Sequence, residues 1–128
     1  MTMAVKYSII VPVFNRPHEV GELLQSLTHQ TYTNFEVLII EDGSTETCEK
    51  VYETYTQLLQ IRYFYKPNSG PGPSRNFGYQ NARGDYFIVF DSDCIIPPDY
   101  LTVVDKFLEG TPLDAWGGPD RGHRDFTL

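Results

Sequence analysis

Short apolar runs alternate along this chain with stretches whose apolar residues recur at helical spacing. Tyr7 to Val13 (YSIIVPV) is a continuous apolar run rich in β-branched residues, the pattern of a strand buried on both faces. Val20, Leu23, Leu24 and Leu27 then fall at i, i+3, i+4 and i+7, one face of a helix. Pro17 suits its first turn, where a missing N–H leaves no bond unmade. Phe35 to Ile40 (FEVLII) predicts a second buried strand, closed by the turn Glu41-Asp42-Gly43-Ser44. A second helix is expected with Ser44 or Thr45 as cap, Glu46 in its first turn, and Cys48, Val51, Tyr55 and Leu58 at helical spacing. Ile61 to Tyr65 predicts a third, shorter strand, and Lys66 to Pro73 is a loop by composition. A short helix carrying Arg75, Asn76 and Phe77 runs to Ala82, and Asp85 to Phe90 (DYFIVF) predicts a fourth strand that ends in Asp91-Ser92-Asp93. Pro97 and Pro98 open a further helix with Leu101, Val104 and Leu108 on one face, and Leu113 to Trp116 reads as the start of a fifth strand.

Such alternation implies right-handed crossovers and an α/β fold, a mostly parallel sheet flanked by helices on both faces. Ligands of these sheets bind where the carboxyl ends of the strands meet their loops. Val11 to Asn15, Glu41 to Ser44 and Asp91 to Asp93 all fall there, so three strand ends bring polar groups to one crevice.

Composition narrows the partners. The length of 128 residues suits one domain, and 41% hydrophobic with 21% charged residues excludes a disordered chain or a coiled-coil rod. A formal charge of −7 without a basic run argues against nucleic acid as a partner. Phosphate ligands remain open, provided a cation stands between them and the acidic groups. Cys48 and Cys94 show neither metal spacing nor a disulfide framework, so both are expected as free thiols in a reducing compartment. No apolar run approaches the ~20 residues of a membrane span, and MTMAVKYS lacks the apolar core of a signal peptide. The expected location is the cytoplasm, or the inner face of the membrane for the full-length protein.

Asp91 and Asp93 lie two residues apart directly after an apolar strand, where both can face one hard cation such as Mg²⁺ or Mn²⁺ whose remaining ligands come from a diphosphate. The alternative is a pair of solvated turn aspartates. Asp42 either accepts from the edge of a base or belongs to an ordinary Asp-Gly-Ser turn. Arg75, beyond a Gly/Pro loop, offers a guanidinium matched to phosphate oxygens unless it is merely solvated. Neither G-x-x-x-x-G-K-[ST] nor G-x-G-x-x-G occurs, against a P-loop or a dinucleotide site, and G-x-S-x-G is absent too. His18, His29 and His123 are scattered without ligand spacing.

SIIVPVFNRP, then LLQSLTHQTYTNFEVLIIEDGST, then GPSRNFGYQNARGDYFIVFDSD together resemble the nucleotide-sugar-binding half of family-2 glycosyltransferases of the GT-A, Rossmann-like fold. The resemblance runs from Tyr7 to about Gly118 in the family's order and spacing. It implies a nucleotide-sugar donor, usually a UDP-sugar, a divalent metal (Mn²⁺ or Mg²⁺), and transfer with inversion to a glycan or lipid-linked acceptor in polysaccharide or glycoconjugate assembly. By position it implies that Pro12, Phe14 and Asn15 line the nucleoside pocket, Asp42 takes the base edge and Arg75 lies near base or phosphates. Asp91 would face ribose and metal, and Asp93 would be the direct metal ligand. The family's catalytic base falls beyond residue 128, and neither Asp120 nor Asp125 is expected to replace it. Residues 1–128 are therefore expected to be the donor domain of a longer transferase, truncated before its acceptor-binding part.

Two other readings follow from the same residues. Asp91-x-Asp93 after an apolar strand also resembles the nucleophile motif of haloacid-dehalogenase-type phosphatases, although only 35 residues follow it here. A non-catalytic nucleotide-binding module is the other, since the base is missing from this stretch.

Overall fold

A computed structural model describes residues 4–110, which form β1 (Tyr7–Val13), α1 (Pro17–Leu27), β2 (Phe35–Asp42), α2 (Glu49–Tyr55), β3 (Ile61–Lys66), α3 (Pro71–Asn81), β4 (Tyr86–Val89) and α4 (Tyr100–Gly110). The strands make one sheet in the order β3-β2-β1-β4, and every pairing is parallel. The two continuous apolar runs occupy the centre: all of β2 and all of β1 except Pro12 are buried. Pro12 stands where the pairing with β4 stops. The Ile10 carbonyl accepts from Phe90 N at 3.1 Å, so the even-numbered residues of β1 turn their backbone groups toward β4. That ladder ends at Ile10 opposite Val89, short of Pro12, which has no N–H to carry it further.

Alternation along β1 and β2 splits the core between two faces. On one, Tyr7, Ile9, Val11, Val37 and Ile39 pack with Leu23, Leu24 and Leu27 of α1 and with Leu101, Val104 and Leu108 of α4. On the other, Ile10, Leu38, Ile40 and Val89 pack with Phe64, Phe77, Tyr79 and Phe87. Here α3 approaches so closely that a Cβ on Gly78 would lie 2.5 Å from Ile10 Cγ2. Helices thus cover both faces, as the alternation implies. Cys48 and Cys94 are buried and not joined by a disulfide, and no described helix is long and apolar enough to cross a membrane.

Several boundaries differ from the sequence expectation. The Gly/Pro-rich stretch is a loop only to Gly70, whose φ of 101° admits the chain to α3. Pro71 and Pro73 then occupy the helix's first turn, where prolines fit. Pro97 and Pro98 precede α4 rather than open it, the Pro97 carbonyl accepting from Tyr100 N. Neither Ser44 nor Thr45 caps α2; Cys48 holds that position, and Leu58 lies past the helix end, 66% exposed. β2 runs on to Asp42, opposite Lys66 of β3, and β4 is shorter than the apolar run that predicts it. Leu113 to Trp116 lies outside the described residues.

Candidate functional site

The carboxyl ends of β2, β1 and β4 are neighbours in the sheet, so the loops that follow them share one edge. The loop after β1 carries Phe14, 51% exposed, and Asn15 with φ 53°, a left-handed backbone that asparagine tolerates better than most residues. Asn15 points its amide at the protein. Its Oδ1 accepts from Thr45 N at 2.9 Å and Glu46 N at 3.0 Å, while its own backbone N donates to Ser44 Oγ at 2.8 Å. It therefore braces the loop after β1 against the loop after β2, a role that the expectation of a pocket-lining residue did not contain. Pro12 sits half-buried just before it.

Ser44 passes the brace inward, donating its hydroxyl to Glu41. Glu41 is fully buried and also accepts from Cys48 N at 2.9 Å, from the Cys48 thiol, and from Tyr63 OH at 2.8 Å. Burial pushes the Cys48 thiol and the Tyr63 phenol upward, and the adjoining carboxylate pushes both further. Both remain donors at neutral pH, which the buried carboxylate requires.

Asp42 is more committed than its turn sequence suggests. Its Oδ1 accepts from Lys66 Nζ and from Ser69 N at 2.8 Å; its Oδ2 accepts from Gly70 N at 2.9 Å and Asn68 Nδ2 at 3.3 Å. Burial pushes this carboxyl up, but the Lys66 ammonium and the two backbone N–H groups outweigh it and hold it below the ordinary carboxylate value. Gly43 is required where the loops close: its φ is 74°, and a Cβ there would stand 2.6 Å from Asn68 N. Sequence reading missed Lys66 as the partner. Only the β2–β3 register, which sets Asp42 opposite Lys66, reveals it.

Asp91 and Asp93 are the reverse case. Both are exposed in the turn after β4, which Cys94 N closes onto the Asp91 carbonyl at 3.1 Å. Neither side chain has a hydrogen-bond or ion-pair partner among the described residues. Arg75, half-buried in α3, is likewise unpaired among them. No group of three metal-ligating side chains occurs among the described residues. Two uncommitted carboxylates of hard oxygen type fit a divalent cation whose other ligands are brought by a phosphate, as opposed to a cation caged by protein alone. His18 and His29 are exposed, and His123 lies outside the described residues.

This arrangement has known counterparts. Residues 8–126 match the family described as "Glycosyl transferase family 2". An uncharacterized glycosyltransferase of Rickettsia felis is 41% identical over 104 residues, 81% of this chain and 17% of that protein. The glycosyltransferase GlyA of Streptococcus pneumoniae is 34% identical over 106 residues, 81% of this chain and 15% of that protein. Among solved structures, S. aureus TarS 1–349 in complex with UDP-GlcNAc superposes with a TM-score of 0.82 at 31% identity, covering 93% of this chain and 37% of that one. The sheet and helices described above correspond to the N-terminal region of the GT-A fold. The chain spans only about a sixth of the length of those two curated relatives. The chain belongs to glycosyl transferase family 2.

Proposed function

We propose that residues 1–128 form the donor domain of an inverting glycosyltransferase that takes a UDP-sugar with the help of a divalent metal and serves polysaccharide or glycoconjugate assembly. The observation that carries this reading is the unpaired Asp91 and Asp93 on the turn after β4, beside the strand end that exposes Phe14. Glu41 and Asp42, the acids that end β2, are fully engaged, whereas the two carboxylates after β4 are free to face a cation. The TarS structure bound to UDP-GlcNAc supports the choice of nucleotide.

In this reading Phe14 and Pro12 form an apolar wall for the nucleoside, and Asn15 keeps that wall in place through Thr45 and Glu46. Asp42 accepts the base N–H by releasing Asn68 Nδ2, the longest of its four bonds at 3.3 Å. Arg75 faces the phosphates with its planar fork. Asp93 and Asp91 would hold the metal, Mn²⁺ or Mg²⁺, which when bound offsets charge on the diphosphate leaving group. The acceptor, a glycan or lipid-linked hydroxyl, and the base that deprotonates it are assigned to no described residue.

Calorimetric titration of UDP, with and without Mn²⁺ and with GDP and ADP as controls, tests the assignment. Metal-dependent, UDP-selective binding that Asp93→Ala removes is the expected result. Equal UDP affinity in Asp93→Ala with metal present would overturn the metal assignment, and no nucleotide binding by the unaltered chain would overturn the donor-site reading.

A further inference from the structure

The segment that carries the two free aspartates has no helix or strand of its own between Phe90 and Pro97. Its upstream end is fixed by the last rung of the sheet, Phe90 N to the Ile10 carbonyl. Its downstream end is fixed by α1 and the residues just after it. Ile96 N donates to Ser26 Oγ at 3.0 Å, and the Ser26 hydroxyl donates onward to the Leu23 carbonyl at 2.7 Å. Gln30 spans the next turn: its Nε2 donates to the Pro97 carbonyl at 2.6 Å, and its Oε1 accepts from Leu101 N at 3.1 Å. Thr31 N adds a bond to the Pro98 carbonyl at 2.9 Å. Ser26 and Gln30 are 9% and 6% exposed, and their bonds to Ile96 N and Leu101 N are buried, where an unmade one has no water to replace it.

The chemistry of the clamp is specific to an amide. Gln30 must donate to one carbonyl and accept from one N–H, and a primary amide does both at once. A glutamate would set a carboxylate oxygen against the Pro97 carbonyl, and a leucine would leave Leu101 N without its partner and the Pro97 carbonyl with Tyr100 N alone. Between the two fixed ends, Cys94 and Ile96 are buried in the core while Asp91 and Asp93 face outward. The turn is thus held by its alternate residues, and the aspartates it presents stand between Phe90 on one side and Ile96 and Pro97 on the other.

We propose that Gln30, with Ser26, is a positioning residue for the Asp91–Asp93 turn: the clamp sets where the two carboxylates stand relative to the end of β1, and through it the metal-dependent part of donor binding. This rests on the donor-site reading for its functional half, but the clamp itself is testable without ligand. Neither residue hydrogen-bonds to Phe14, Asn15 or Asp42, so metal-free nucleoside binding is expected to be independent of it.

The test compares the full chain with Gln30→Leu, Ser26→Ala and the hydroxyl-retaining Ser26→Thr. Amide hydrogen exchange over residues 91–97 is read first, then UDP affinity with and without Mn²⁺. Exchange in 91–97 is expected to rise about tenfold in Gln30→Leu, the scale of losing one net hydrogen bond, with the amides of α1 unchanged. The affinity gained from Mn²⁺ should fall by about the same factor while metal-free UDP affinity holds. Ser26→Ala should show a smaller effect of the same kind, and Ser26→Thr should restore it. Unchanged exchange in 91–97, or metal-free and metal-dependent affinities falling together, would overturn the proposal. If the unaltered chain gains no UDP affinity from Mn²⁺, the donor-site reading fails by itself. The exchange data on Ser26→Ala, the milder variant, then decide the clamp.

Discussion

Replacing Asp42 by asparagine removes one charge from a pair that the fold has taken out of water. The side chains of Asp42 and Lys66 are 8% and 11% exposed, and removing one partner of a buried pair costs about 3–5 kcal/mol because the other charge stays behind. Two features pull the figure toward the lower end. Lys66 Nζ keeps Ser69 Oγ and the Pro67 carbonyl as acceptors, and asparagine's own Oδ1 still accepts from one of Ser69 N and Gly70 N. A loss of about 3 kcal/mol is therefore expected for Asp42→Asn at pH 7, equivalent to a fall of roughly 10 °C in Tm for a domain of this size. Because the folded carboxyl titrates below its ordinary value, its contribution is complete above the unfolded pKa of about 4 and is lost as pH falls through the lower folded value. The gap between parent and variant must then close on acidification. Asp105, also held low by Lys6 and Tyr7, weakens both proteins equally and cancels from the difference. Urea unfolding at pH 7 and pH 3, with Lys66→Met and the double variant completing a cycle, measures all of this. A loss under about 1 kcal/mol at pH 7, or strict additivity of the two single variants, would refute the reasoning.

Two shorter predictions use other parts of the structure. Gly78→Ala should destabilise by about 2 kcal/mol in urea unfolding despite alanine's better helix propensity, because the added Cβ meets buried Ile10 Cγ2 at 2.5 Å; an unchanged or raised midpoint would show that α3 shifts freely. Cys48, buried with its thiol pushed upward by burial and by Glu41, should resist a disulfide-exchange reagent at pH 8 until the protein unfolds, and rapid modification of the native protein, located by mass spectrometry, would contradict that placement.

The central strands and α1 were legible because each carries a single dominant signal. A parallel strand covered on both faces has no polar position to interrupt it, so YSIIVPV and FEVLII stand out. The four leucine and valine positions of α1 mark its buried side directly. Proline is misleading at the starts of two helices. In α3 it occupies a helical first turn within what composition marks as loop, and before α4 it precedes a helix that it does not enter. At the site, exposed groups were easier to find than engaged ones. Asp91 and Asp93 are exposed on the turn after β4, and Phe14 is exposed just past the end of β1. The brace at Asn15, the Asp42–Lys66 pair and the Gln30 clamp each join residues 24 or more positions apart. No local periodicity encodes such pairs; they appear only once strand register and helix placement are known.

The position of β1 in the sheet also governs how the chain must fold. Its Tyr7 pairs with Phe35 on one side and Tyr86 on the other, so one neighbour follows within a short crossover and the second arrives only after three-quarters of the described chain. A nascent chain can assemble β1, β2 and β3 early, but half of β1's backbone groups and the face that receives α4 stay open until β4 emerges. The rate of reaching the native state is set by that late, long-range closure and not by the helices, which form far faster. The turn bearing Asp91 and Asp93 begins where β4 ends, so the edge that carries the candidate site is completed only when the four described strands are together.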